Sequence, residues 1–227
     1  MPLLDCVELT TGTEPRGTVI WMHGLGADGW DFVPIARELD PENALPLRFV
    51  FPHAPVRNVT INGGAPMRAW YDVAIMDFGR VPDEKGIRES QAQIEALIAR
   101  ERERGVPADK IVLAGFSQGG AIALQTGLRH AESLAGILAL STYLPMPESL
   151  PRELASANER VPIFMAHGSQ DPVIPLALAQ SSRETLAAAG LSPEWHDYPM
   201  PHSVCAEEVG AIAGWLQARF RSRILLA

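Results

Sequence analysis

The chain has 227 residues, of which 47% are hydrophobic and 20% charged, and its formal net charge is −8. This is the composition of an ordinary globular protein, and the length suits one α/β domain over residues 1–227. The acidic balance, without any basic stripe, argues against nucleic acid as a partner. No run approaches the roughly 18 apolar residues of a membrane-spanning helix, so we expect no integral membrane segment.

The start of the chain and its two cysteines predict a cytoplasmic location. Asp5 and Glu8 stand where a secretory signal would have a basic and then an apolar region. Cys6 and Cys205 are too few for a disulfide framework, which favours a reducing compartment. The role of Cys205 is left open between a small buried side chain at a helix start and a redox switch.

Strands and helices alternate along the chain, which predicts a mostly parallel sheet. Short apolar runs predict central strands at 18–22, 47–51, 111–114, 134–140 and 161–166. Helical periodicity covers 31–39, 87–104, 120–129, 176–189 and 207–221. Weaker patterns predict strands at 7–11 and 194–198, the first as an antiparallel edge leading into a hairpin.

Residues 52–82 interrupt this alternation with a proline- and glycine-containing stretch that has no clear period. Loops of this length are usually functional or disordered, and the aromatic content favours an ordered flap beside a strand end. Met67, Trp70 and Tyr71 are therefore predicted to border a substrate pocket, with a purely structural cover of the sheet edge as the alternative. A second irregular run, 141–151, is predicted to form another wall.

Gly115 to Gly120 follow one predicted strand and precede a predicted helix. A G-x-S-x-G sequence in this position is typical of a nucleophile elbow, in which a sharp turn exposes the serine hydroxyl. Glycines at 115 and 119 are expected because strand and helix cross closely behind Ser117. The alternative is an ordinary helix N-cap serine.

A serine nucleophile needs a base and a group that orients the base, and in hydrolase folds these follow it as acid and then histidine. Asp171 lies after the predicted strand 161–166, and His202 lies on a later loop. His23 and His167 are expected to bond to backbone, and His130 is expected at the surface.

Negative charge on the carbonyl oxygen also requires two backbone N–H donors. We predict Gln118, directly after the nucleophile, and Leu25, in the loop after an early strand. A simple tight turn is the alternative for the glycines around Leu25. No cluster has metal-ligand spacing and no phosphate-binding glycine motif is present, so neither metal nor cofactor is expected.

Several motifs together resemble the phospholipase/carboxylesterase family of small α/β hydrolases, which includes bacterial carboxylesterases and acyl-protein thioesterases. They are 23–28, 61–64, 70–72, 115–120, 139–144, 167–172 and 202–203. The resemblance implies a seven-stranded α/β-hydrolase sheet with little cap, a Ser117–Asp171–His202 triad, oxyanion donors at Leu25 and Gln118, and frequent homodimers. Pro201 departs from the family's usual small residue, which puts the mobility of the histidine loop in doubt.

We therefore predict a serine carboxylesterase that cleaves small-molecule esters with short to medium acyl chains through an acyl-enzyme. The alternatives within the family are hydrolysis of S-acyl cysteine thioesters on proteins and lysophospholipase activity. A hydrolase fold that only binds a ligand is the alternative from outside enzymes.

Overall fold

The computed structural model describes residues 3–39, 45–76 and 79–221. Its strands are β1 (Cys6–Thr10), β2 (Gly17–Met22), β3 (Leu47–Pro52), β4 (Val56–Val59), β5 (Ala65–Arg68), β6 (Val73–Met76), β7 (Gly79–Pro82), β8 (Ile111–Phe116), β9 (Gly136–Leu140), β10 (Ile163–Gly168) and β11 (Glu194–Tyr198). Its helices are α1 (Val33–Leu39), α2 (Glu84–Glu103), α3 (Gln118–Gly127), α4 (Leu150–Glu153), α5 (Leu176–Ala188) and α6 (Ala206–Arg221).

Seven of these strands form the central sheet in the order β1-β3-β2-β8-β9-β10-β11. All neighbours are parallel except β1, which runs antiparallel to β3 at the edge. The predicted α/β-hydrolase sheet is confirmed. The predicted hairpin after β1 is wrong, because β1 skips β2 and pairs with the strand that follows it.

Both faces of the sheet are covered, and its central strands are apolar on both sides. Ile20 and Met22 of β2 pack in one cluster with α2 and α3, whereas Val19 and Trp21 pack in another with α1 and α6. Consecutive strand residues point to opposite faces, so a strand covered on both sides appears in sequence as an unbroken apolar run. The helices on both faces thus fix the strand ends that carry the candidate site.

The stretch 52–82 is more regular than predicted. It contains two short antiparallel pairs, β4 with β5 and β6 with β7. A 3-10 turn, Thr60–Asn62, joins β4 to β5, and Asp72 fastens it by accepting bonds from the Thr60 amide (2.7 Å) and hydroxyl (2.6 Å). Asp83 caps α2 and also accepts the Asp72 N–H (2.9 Å). The hairpins are thereby anchored to the start of α2.

Candidate active site

Ser117 lies between the last residue of β8 and the first of α3, in a conformation that ordinary residues avoid. Its φ is 54° and its side chain stands at the point of a sharp turn. A Cβ at Gly119 would overlap the carbonyl oxygens of Met22 and His23, and one at Gly115 would overlap the Gly119 backbone. The close crossing behind the serine therefore requires glycine at both positions, as expected for an elbow.

Neighbouring strand ends hold this strained turn in place. The Ser117 N–H donates to the Leu140 carbonyl at 2.8 Å, and the Thr142 hydroxyl donates to the Ser117 carbonyl at 2.6 Å. Strained backbone persists only where the surroundings over-determine it, and these two bonds contribute to that. Thr142 lies within the motif 139–144, just after the strand beside β8, but nothing in the sequence indicates its contact with the serine.

Asp171 and His202 are in direct contact across two loops at the same sheet edge. His202 Nδ1 lies 2.6 Å from Asp171 Oδ2, while Asp171 Oδ1 accepts the N–H groups of Val173 (2.8 Å) and Ile174 (2.9 Å). Burial raises the pKa of Asp171, but the bonds from His202 and the two amides outweigh burial, so its pKa lies below the ordinary value. The aspartate is therefore ionised at neutral pH.

This ionisation determines how the histidine is protonated. An ionised carboxylate only accepts hydrogen bonds, so His202 Nδ1 carries the proton and Nε2 is left as an acceptor in the neutral ring. Phe116, directly before the serine, packs against the His202 ring with centroids 4.7 Å apart. His202 and Ser117 both line one cavity. The arrangement therefore presents a basic nitrogen and a hydroxyl to the same space.

That cavity has a volume of about 280 Å³ and is walled mostly by apolar side chains. Leu25 and Gln118, the predicted oxyanion donors, line it together with Ser117 and His202. Ile61 and Val173 also line it and remain 43% and 50% exposed, and the exposed Asp31 lines it beside them. Exposed apolar side chains beside a carboxylic acid suit an acyl chain better than an anionic ligand.

A second cavity of about 240 Å³ adjoins the first. Tyr71, Val73 and Tyr143 line both, and the hydroxyl groups of Tyr71 and Tyr143 are 2.9 Å apart. The second cavity continues between α2 and the loop after β9, and is lined by Ile87, Leu144, Met146 and Leu178 among others. The hydrogen-bonded tyrosine pair thus stands between two apolar spaces.

Of the three predicted pocket residues, the structure brings only Tyr71 to these cavities. Trp70 is fully buried and lines neither: its backbone N–H donates to the Gln118 side chain and its indole N–H to the His23 carbonyl. Met67 of β5 lines neither as well, and its sulfur lies 3.1 Å from Asn62 Nδ2. Ile61, in the turn of the same hairpin, lines the first cavity instead. The sequence predicts no strands in this flap, so it did not indicate which of its side chains would face the cavity.

The other histidines mostly have the backbone partners expected of them. His23 Nε2 accepts the Ala54 N–H at 3.0 Å, and burial lowers its pKa to about 4, so the ring is neutral. His167 Nε2 donates to the Ile174 carbonyl at 2.8 Å. His130 is not at the surface as predicted: it is buried in the segment after α3 and bonds to Glu95 at 2.7 Å. Cys205 is partly buried just before α6.

Within residues 3–39, 45–76 and 79–221 there is no group of three or more His, Cys, Asp or Glu side chains placed to hold a metal ion. None of the helices in this described part combines the length and apolar character of a membrane span.

Comparison with known proteins gives a consistent set of relatives. Residues 6–219 match the family model described as phospholipase/carboxylesterase. Acyl-protein thioesterase 1 of Neurospora crassa is 41% identical over 213 residues, covering 89% of this chain and 86% of that protein. Among solved structures, Zea mays acyl-protein thioesterase 2 superposes with a TM-score of 0.82 at 27% identity, covering 95% of this chain and 99% of that one. Esterase PE8 gives 0.84 at 26% identity, with 96% and 99% covered.

Proposed function

The chain belongs to the phospholipase/carboxylesterase family, and from that premise we propose that it hydrolyses S-acyl thioesters of cysteine, and oxygen esters, with Ser117 as nucleophile. The observation that carries the proposal is that one largely apolar cavity is lined by Ser117, His202, Leu25 and Gln118, and that Asp171 is hydrogen-bonded to this His202. Each of these groups supplies one requirement of acyl transfer.

In the proposed reaction, Ser117 Oγ attacks the acyl carbonyl carbon and its proton passes to His202 Nε2. Asp171 keeps Nδ1 protonated and stabilises the charged ring that forms. The negative charge on the carbonyl oxygen is met by the N–H groups of Leu25 and Gln118. The bond to the leaving thiol or alcohol then breaks, and His202 protonates the leaving group. Water, deprotonated by the same histidine, releases the acid and regenerates the serine.

The thioester is favoured over the ester as the physiological substrate by the relatives named acyl-protein thioesterase, which include the 41% identical Neurospora crassa protein. The exposed apolar side chains of Ile61 and Val173 at the cavity support a substrate whose acyl chain enters from the surface of a larger molecule. A thiol with a pKa of about 8.5 also leaves more readily than an alcohol. Lysophospholipids share the acyl chain but not the cysteine.

The competing candidate is a carboxylesterase for short and medium acyl chains, and the tyrosine pair favours it. Each cavity alone falls below the roughly 300 Å³ at which ligand pockets usually begin. With the Tyr71–Tyr143 bond closed, only the first cavity receives the acyl group, so short chains are preferred. If the pair separates, the second cavity becomes continuous with the first and long chains fit.

The decisive experiment compares an S-hexadecanoyl cysteine peptide with p-nitrophenyl esters of butanoic, octanoic and hexadecanoic acid, using the wild type and Ser117→Ala. The proposal expects cleavage of the peptide by the wild type and loss of all turnover in Ser117→Ala. Ester cleavage without peptide cleavage would assign the carboxylesterase function instead. Turnover by Ser117→Ala within about tenfold of the wild type would refute the mechanism.

A companion variant, Tyr143→Phe, removes only one hydroxyl from the tyrosine pair. We expect kcat/KM for the hexadecanoyl ester to rise relative to the butanoyl ester, since each newly buried methylene contributes up to about 0.8 kcal/mol. Tyr198→Phe, on the edge strand β11, is the matched control. An unchanged chain-length profile in Tyr143→Phe would show that the pair does not limit acyl length.

A further inference from the structure

We propose that Trp70 and the Gln118 side chain act as a positioning pair that sets the spacing between the two oxyanion donors, the N–H groups of Leu25 and Gln118. The inference rests on the proposed function. It gives two buried groups, the Trp70 indole and the Gln118 amide, a role in the rate of the reaction.

The first half of the pair is the Gln118 amide, which binds the backbone of two consecutive residues. Its oxygen accepts the Trp70 N–H at 2.9 Å and its nitrogen donates to the Tyr71 carbonyl at 2.7 Å. Gln118 is only 4% exposed, so both bonds lie in a dry environment where losing either partner is costly. The side chain of the elbow residue therefore determines where the 70–71 segment lies.

The second half is the Trp70 indole, which binds the loop carrying the other donor. Its N–H donates to the His23 carbonyl at 2.9 Å, and its ring lies 5.4 Å from the His23 ring. Two residues further along this loop is Leu25. The Trp70 carbonyl in turn accepts the Ser90 hydroxyl of α2. A continuous chain of hydrogen bonds thus runs from Gln118 through Trp70 to His23.

The packing around this chain leaves little freedom for either side. The His23 carbonyl is one of the atoms that a Cβ at Gly119 would overlap, so the loop and the elbow already touch at that point. The His23 ring is itself bonded on both nitrogens, to Ala54 N–H and to the Gly24 carbonyl at 2.7 Å. Oxyanion donors act only when they are about 2.7–3.1 Å from the developing charge. A shift of a few tenths of an ångström at His23 or Gln118 would therefore change the distance from a donor to the oxyanion and weaken the stabilisation of the transition state.

The test uses Trp70→Phe, which removes the indole N–H and keeps an aromatic ring. We expect kcat to fall by about tenfold to a hundredfold, less than for complete loss of an oxyanion donor, with KM little changed. The fall should be equal for butanoyl, octanoyl and hexadecanoyl esters. Trp215→Phe is the matched control, because Trp215 is a buried tryptophan of α6 that lies outside this chain of bonds.

A pair of inhibitors separates positioning from general structural damage. A trifluoromethyl ketone forms a bond between Ser117 Oγ and its carbonyl carbon, the serine proton passes to His202, and the negative charge rests on the ketone oxygen. The corresponding alkyl thioether without the carbonyl binds the same cavity and makes no oxyanion. The proposal expects Trp70→Phe to weaken the ketone by the same factor as kcat/KM and to leave thioether affinity unchanged.

Gln118→Met is a second variant, on the elbow side of the same chain of bonds. It removes the bonds of the Gln118 amide to the backbone of residues 70 and 71 and keeps the approximate shape of the side chain. Because both substitutions break one chain of bonds, the double variant should lose less than the product of the two single losses. A loss that depends on acyl length would make Trp70 an acyl contact, and an unchanged ketone affinity would make it merely structural; either result overturns the proposal. If the wild type cleaves no ester or thioester at all, the proposed function fails instead.

Discussion

Asp171→Asn tests the proposed mechanism sharply, because the structure determines how the new amide must lie. Asp171 Oδ1 accepts two backbone N–H groups, from Val173 and Ile174. Only the amide oxygen of asparagine can take that place, so its NH2 group must occupy the position of Oδ2 and face His202 Nδ1. To avoid two opposed donors, His202 would carry its proton on Nε2, where it can no longer accept one from Ser117.

The expected result is a fall in kcat on the order of 10⁴, which corresponds to about 5 kcal/mol of transition-state stabilisation. Steady-state hydrolysis of p-nitrophenyl butanoate gives kcat, and thermal unfolding tests whether the variant retains its fold. Asp197→Asn, an exposed aspartate of β11, is the matched control and should behave as the wild type. A folded Asp171→Asn variant with kcat within about tenfold of the wild type would refute the argument.

Three further predictions concern the stability of the fold. Gly119→Ala should destabilise the chain by about 1–3 kcal/mol in chemical denaturation, because its Cβ overlaps fixed carbonyls. Gly210→Ala, in open space on α6, should be neutral or stabilise by up to about 1 kcal/mol. Equal effects of the two substitutions would contradict the crowding argument. Burial raises the pKa of Glu208 to about 8, so the folded chain holds a proton that the unfolded chain releases, and stability should fall as pH rises from about 4.5 to 8. Glu208→Gln should remove up to roughly 1 kcal/mol per pH unit of that slope, and an identical slope would disprove the assignment. Hydrogen bonds from Arg88 and Arg129 lower the pKa of Glu153 to about 2, so the ionised side chain stabilises the wild type above pH 4.5 and this stabilisation is lost as the pH falls towards 2. Glu153→Gln should therefore be less stable than the wild type above pH 4.5, and the difference should shrink towards pH 2, as measured by denaturation at each pH.

The central sheet could be predicted because its signal is local. Each strand covered on both faces is a short run of apolar residues, and even the weaker pattern of β11 predicts the bounds that the structure has, Glu194–Tyr198. The hairpins between β3 and α2 could not be predicted in this way. Their strands have four residues each, and Pro66, Gly63 and Gly64 within or beside them conceal any alternation. Pairing partners also depend on the whole sheet, which is why β1 was expected in a hairpin and lies beside β3 instead.

The candidate site was predictable to the extent that it follows chain order and strand ends. Ser117, Asp171 and His202 were selected by their order and by the elements before them, and the structure brings Asp171 and His202 into hydrogen-bond contact. The hydrogen bonds of Thr142 with Ser117 and of Tyr71 with Tyr143 could not be predicted, because they join residues far apart in sequence. Only the three-dimensional packing of those loops brings such side chains together.

Trp70 and Tyr71 illustrate the limit of reading a motif as a single unit. The sequence predicts that both aromatic residues border the substrate pocket, because they are adjacent in an irregular segment. In the structure they point to different surroundings: Tyr71 reaches the cavities, and Trp70 turns inward to the His23 carbonyl. The Gln118 side chain binds the backbone of both, so it fixes the segment in the orientation that divides their roles. Adjacent residues in such a segment can therefore serve substrate size and transition-state geometry separately, and variants at 70 and 71 should affect different kinetic parameters.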